Sequence, residues 1–193
     1  METEALGRSK LLNWLFKPAG LLMGSRARRW VMPPERTLRG ADLRPGQVVL
    51  EVGCGTGFFT LPAARMLGSS GRLIAIDALS GFVDVVEEKI RSEGLAHVRA
   101  EQRDALKTEL GDECIDLALL FGVLPWPALP LNRLLPEMHR VLKPDGRIAV
   151  WMFPVTGWVP AAIARSGLFS SVGKQNGVFN FRKIVQDSAS PIS

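Results

Sequence analysis

Several residue types are scarce in this chain, and each shortage removes a class of protein. Of 193 residues, two are cysteine, two are histidine and none is tyrosine. Cys54 and Cys114 are too few for a disulfide framework and unsuited to a zinc cluster. Both read as small, buried residues near strand ends, in keeping with a reducing, cytoplasmic setting. His97 falls at a predicted strand start and His139 in a predicted helix, far apart in sequence, so no metal site is expected. No apolar run reaches the length of a membrane span, no secretory signal is evident, and no repeat or low-complexity tract stands out. What remains is a chain long enough for one α/β domain with a substantial core.

The net charge of +5 is unevenly placed. Residues 1–47 hold nine Lys/Arg and four Asp/Glu, which accounts for the whole excess, and the remainder is balanced. The same segment carries Leu11, Leu12, Trp14, Phe16, Leu21, Leu22 and Trp30, while Lys17-Pro18 and Met32-Pro33-Pro34 break it into short pieces. Basic and apolar residues mixed this way suit a helical cap or lid over a cleft, or an amphipathic helix in peripheral contact with a membrane. The bland alternative is a helix packed on the domain with its arginines solvated. The aromatic residues are not interleaved for base stacking, which argues against a nucleic-acid arm. The expected organisation is a cap over 1–37, a folded domain over 38–185 and a polar, fraying tail over 186–193.

The strongest motif is Val48-Val49-Leu50-Glu51-Val52-Gly53-Cys54-Gly55-Thr56-Gly57. A short β-branched run predicts a buried parallel strand. Glycines at alternate positions then permit a tight turn and leave no side chain where a ligand approaches. Phe58 to Leu67 reads as a helix whose free N–H groups face that ligand. A dinucleotide fingerprint needs its third glycine three residues after the second, and Phe58 stands there instead.

Companion signals follow in order. Arg72 to Asp77 is a second strand ending in an acid, placed to accept ribose hydroxyls or, alternatively, to cap the helix starting near Ser80. Val98 to Asp104 alternates like a third strand, with Asp104 either a ligand group or a local turn residue. Cys114 to Leu124 reads as a fourth strand, opened by Asp116 in a structural role. Val141 to Val150 reads as a helix end, a Pro-Asp-Gly turn and a fifth strand. Thr156 to Gly167 suits a helix. Leu168–Lys174 and Val178–Ile184 are strand candidates joined near Asn176-Gly177, a strong hairpin signal.

The acid-x-Gly-x-Gly-x-Gly pattern and its companions resemble the class I S-adenosylmethionine (SAM)-dependent methyltransferases, over about residues 38 to 153. "GFFTLPAARMLG" followed by "GRLIAIDAL" is most similar to the small ubiquinone/menaquinone-biosynthesis-like (methyltransferase type 11-like) group. The resemblance implies a Rossmann-like, doubly wound α/β fold with seven strands, mostly parallel and ending in an antiparallel hairpin. It implies SAM as cofactor and S-adenosylhomocysteine as product. By the same resemblance Glu51, Gly53, Cys54, Gly55 and Gly57 form the cofactor loop, and Asp77 holds the ribose with Ala78 and Leu79 near the adenine. Asp104 would meet the adenine amine between Arg103 and Ala105, and Phe121 and Gly122 would approach the methionine end.

The acceptor is less defined. Where many relatives carry a polar residue after strand four, this chain reads Leu124-Pro125-Trp126-Pro127-Ala128-Leu129-Pro130, rigid and apolar. That favours a small, largely apolar acceptor such as a quinone precursor or lipid, and no catalytic residue is singled out. The Asn/Asp-Pro-Pro-Tyr/Phe tetrapeptide of base-amino methyltransferases is absent, as is an acidic cluster for metal-dependent catechol chemistry. An RNA or protein methyltransferase and a SAM-binding scaffold without turnover stand as the alternatives.

Overall fold

The computed structural model describes residues 33–125, 127–152 and 157–185. The expected cap and tail therefore lie outside the described residues, apart from the stretch beginning at Pro33.

Seven strands form one sheet: β1 (Val48–Val52), β2 (Arg72–Asp77), β3 (Val98–Gln102), β4 (Ile115–Phe121), β5 (Leu142–Trp151), β6 (Phe169–Gln175) and β7 (Val178–Lys183). Their order is β3-β2-β1-β4-β5-β7-β6. The first five run parallel, while β7 pairs antiparallel with both β5 and β6. This is the Rossmann-like sheet with a terminal antiparallel hairpin. The order reverses between β1 and β4, which makes their C-terminal ends the switch point where ligands bind in such sheets.

Side-chain alternation sorts the core onto two faces. Val49, Leu73, Leu117, Leu119, Phe121 and Ala149 meet Leu38 of α1 (Pro34–Gly40) and Ala63, Ala64 and Leu67 of α2 (Thr60–Leu67). On that side too, Ala75 and Ala100 meet Val83 and Val86 of α3 (Ser80–Ser92). Leu50, Val52, Ala118, Leu120, Ile148 and Val150 face the other way. They meet Leu134 and Met138 of α4 (Leu131–Val141) and Val159 and Ile163 of α5 (Trp158–Arg165).

Helix α1 is tied to the terminal hairpin. Asn176 Nδ2 donates to Arg36 O (3.0 Å) and Asn180 Nδ2 to Gly40 O (2.9 Å). With Leu38 wholly buried, the packed unit reaches back to Pro34.

Several boundaries differ from the sequence expectation. Helix α2 begins at Thr60, because Phe58 and Phe59 still belong to the loop and pack edge-to-face, 4.9 Å between centroids. Strand β3 stops at Gln102, since Asp104 turns the chain by accepting Leu106 N–H at 2.9 Å. The Pro-Asp-Gly turn is a bulge inside β5. Leu142 pairs with Ile115 and Arg147 with Leu117, so Lys143–Gly146 loop out between them. The expected hairpin turn is present, with Asn176 at φ 49° and Gly177 at φ 82°.

Candidate functional site

The C-terminal ends of β1 and β2 build the site. Where β1 ends, Gly53 N–H and Cys54 N–H both donate to Ile76 O of β2, at 2.8 and 3.0 Å. The loop then turns through Gly53, Gly55 and Gly57 at φ 75°, 51° and 83°, a region that costs other residues roughly 1–2 kcal/mol each. The three glycines do different work. A Cβ on Gly53 would lie 2.3 Å from Val123 Cγ1, so the loop after β4 rests directly on it. A Cβ on Gly55 would meet nothing within 4 Å, so its face is open.

Asp77, the last residue of β2, organises this loop. Its Oδ2 accepts Gly55 N–H at 2.9 Å and its Oδ1 accepts Leu79 N–H at 3.0 Å. Its own carbonyl accepts Arg103 N–H at 3.1 Å, which draws the β3 exit toward the same place. Gln102 Nε2 donates to Ala78 O at 3.0 Å. Thus Gly55, Asp77, Ala78, Leu79 and Arg103 are brought together by direct bonds. Asp104 and Ala105 follow in the turn after β3, Asp104 holding Leu106 N–H and Ala105 buried in the core. Phe121 and Gly122 end β4, where Gly122 N–H donates to Trp151 O at 2.8 Å.

Comparison with known proteins agrees with this geometry. Residues 49–146 match the methyltransferase domain family. The chain belongs to that family. A demethylmenaquinone methyltransferase from Lactobacillus johnsonii is 32% identical over 110 residues, 56% of this chain and 44% of that protein. A ubiquinone/menaquinone biosynthesis C-methyltransferase from Marinomonas sp. is 30% identical over 135 residues, 69% of this chain and 52% of that protein. The chain thus spans about half the length of the curated relatives it matches. Among solved structures, a SAM-dependent methyltransferase from Aquifex aeolicus superposes with a TM-score of 0.70 at 23% identity, covering 86% of this chain and 96% of that one. A Burkholderia thailandensis 1,6-didemethyltoxoflavin-N1-methyltransferase, holding its substrate and S-adenosylhomocysteine, gives 0.69 at 23% identity over 93% and 88%.

The electrostatics of the methyltransferase domain concentrate under the loop. Glu51 is 2% exposed, and burial pushes its carboxyl up to about 8, with the charge of Asp77 adding to the effect. The Thr60 hydroxyl beside the carboxyl opposes part of that rise, and Glu51 Oε2 is buried with no other partner among the described residues. Burial also raises Asp77, against the backbone N–H groups that favour its ionised form. Burial beside these two acids drives the Cys54 thiol well above its ordinary range, so it stays protonated and is no nucleophile.

Three residues at the site were missed by sequence reasoning. Lys89 Nζ reaches from α3 to Thr56 O at 2.7 Å, Val123 packs on Gly53, and Thr60 lies buried at the start of α2. A threonine at a helix start carries a faint signal. Lys89 and Val123 carry none, because only the docking of α3 and of the post-β4 loop brings them there. Among the described residues no group of three His, Cys, Asp or Glu is placed to hold a metal ion, and no helix is long and apolar enough to cross a membrane.

Proposed function

We propose that this chain binds SAM across the β1 and β2 ends and transfers its methyl group to a small, largely apolar acceptor. The observation that carries the reading is the pairing of an open Gly55 face with a buried Asp77 whose oxygens retain free lone pairs. Each carboxylate oxygen accepts one backbone N–H and has capacity for one more donor, which suits a pair of ribose hydroxyls. Glu51, with one buried oxygen unpartnered, suits an additional donor at the loop. Gly53, Cys54, Gly55 and Gly57 line the approach, Ala78, Leu79, Arg103, Asp104 and Ala105 flank the adenine side, and Phe121 and Gly122 the methionine side.

The cofactor supplies a methyl group on a sulfonium that is already a good leaving group. The chain's own task is therefore alignment and exclusion of water, and holding reactants in line supplies about 7–11 kcal/mol of barrier reduction. No side chain is assigned as general base. An apolar acceptor fits the aromatic set beside Gly122. Phe59 packs edge-on to Phe121 (5.0 Å) and to Trp151 (6.1 Å), and Trp158, 54% exposed, opens α5 beyond the end of β5. The named activities of the curated relatives support a quinone precursor as acceptor.

The test has two arms. Calorimetry of the full chain with S-adenosylhomocysteine should show binding, and its absence removes the cofactor reading. Incubation with SAM and a demethylated quinone, followed by mass spectrometry, should show a mass gain of one methylene. Turnover on RNA or protein alone, or binding without turnover on any acceptor, would replace the acceptor assignment. Deletion of residues 1–30 should leave cofactor binding nearly intact while removing methyl transfer or membrane association. Flotation with anionic liposomes that weakens with salt would make that segment an anchor rather than a lid.

A further inference from the structure

The opposite end of the same strands carries a feature that methyl transfer does not use. A cavity of about 430 Å³ opens where β1, β2 and β3 begin, lined by Val48, Ser69, Ser70, Arg72, His97 and Arg99 among others, with no carboxylate in its wall. Val48 pairs with Arg72 and Ile74 with Arg99. Arg72 precedes Ile74 by two residues, so both arginines rise from one face of the sheet. Among the described residues neither has an ion-pair partner.

The neighbouring basic groove at this end is built differently. There Arg44 and Arg147 are held by Asp42 at 2.6 and 2.9 Å, and Lys143 by Asp116 at 2.7 Å. Its cations are neutralised in place, while those of the Arg72 cavity are not. His97 is fixed at the rim through Nε2, 3.0 Å from Ala64 O, which leaves Nδ1 as the ring's remaining polar atom. Two guanidinium forks and two serine hydroxyls, with no acid among them, match the oxygens of a phosphoryl group.

We propose that this cavity is a second binding site, for a phosphoryl anion, separate from the cofactor loop. Val48 and Val52 are four residues apart along β1, so about 13 Å of strand divides the two sites. The ligand is either a soluble phosphate compound or a phospholipid headgroup.

Inorganic phosphate titrated into the full chain at constant ionic strength, followed by backbone amide NMR, reads this directly. Saturable shifts are expected at residues 69–72 and 97–99, unchanged when S-adenosylhomocysteine saturates the protein. The Arg72→Gln/Arg99→Gln variant should bind about tenfold or more weakly, whereas Arg133→Gln/Arg165→Gln, an equal charge loss elsewhere, should change affinity by less than about twofold. The replaced side chains are exposed, and a retained amide spectrum confirms that the variants fold. Flotation with phosphatidylcholine vesicles containing phosphatidic acid separates the sources. Capture that depends on Arg72 and Arg99 assigns a headgroup, and phosphate binding without capture assigns a soluble compound. Shifts that do not saturate, that appear at residues 53–57 instead, or that survive in the double variant overturn the proposal.

Discussion

The two ends of the central strands are made of the same sheet and treat charge in opposite ways. At the C-terminal end, Glu51 and Asp77 are sunk beneath a glycine loop and hold or await backbone-scale donors. At the N-terminal end, Arg72 and Arg99 stand in solvent and the other cations are paired on the surface. Strand direction explains the contrast. Parallel strands deliver their C-terminal loops to one rim, and the strand order reverses there between β1 and β4, the position at which such sheets bind ligands. The other rim receives ordinary helix-to-strand turns. Buried acids are therefore expected to control cofactor affinity and pH response, and the exposed bases neither of these nor stability.

The largest effect should come from the loop glycines, which separate ligand space from packing. Gly55→Val adds a side chain to open space, so a folded protein with no measurable S-adenosylhomocysteine binding by calorimetry is expected, and unchanged affinity would break the assignment. Gly53→Ala should instead act on the fold, because Val123 occupies the site of the new methyl and φ is 75°. A loss of about 2–4 kcal/mol in chemical denaturation is expected.

Asp77→Ala should weaken cofactor affinity by about 1.5–3 kcal/mol, the range for hydrogen bonds to a charged group. A change below a few tenths of a kcal/mol would leave Asp77 as a loop organiser that bonds Gly55 and Leu79 and nothing more.

Glu51 should impose a pH dependence on stability. Between its ordinary value of 4.5 and about 8, the folded protein keeps a proton that the unfolded chain has released. The contribution is therefore full below the lower value and falls as pH rises through the window, by at most about 1.4 kcal/mol per pH unit. Asp77, also raised by burial, acts with the same sign. Glu51→Gln should flatten the profile of denaturation midpoints measured from pH 5 to 8, and an unaltered slope would count against a protonated Glu51. Arg72→Gln, at the other rim, should shift stability by no more than about 0.5 kcal/mol at any pH in that range.

Much of this was legible in the chain. Five parallel strands, their acids and the terminal hairpin were readable because each rests on a local rule. Such rules include β-branched runs between turns, glycine where φ is positive, and Asn-Gly between strands. Boundaries were less legible where two local signals competed. Phe58 and Phe59 read as helix because they continue an apolar run, yet in the fold Phe58 packs edge-on to Phe59, which in turn meets Phe121 and Trp151. The alternation through Asp104 read as strand, yet its side chain claims the Leu106 N–H and ends the ladder. Asp116 was read correctly as structural. It accepts Val48 N–H at 2.7 Å and pairs with Lys143.

The sequence by itself determined the order of the elements, the glycine loop with its two acids and the placement of all excess charge before β1. These follow from the chemistry of residues adjacent in the chain. Tertiary structure alone decided which residues from distant elements meet. It set Val123 on Gly53, Lys89 on the Thr56 carbonyl, α1 against Asn176 and Asn180, and Arg72 beside Arg99 with no acid between them. It also decided the charge state of Glu51. A carboxyl's affinity for its proton depends on how much water the fold removes from around it, and no local pattern encodes that.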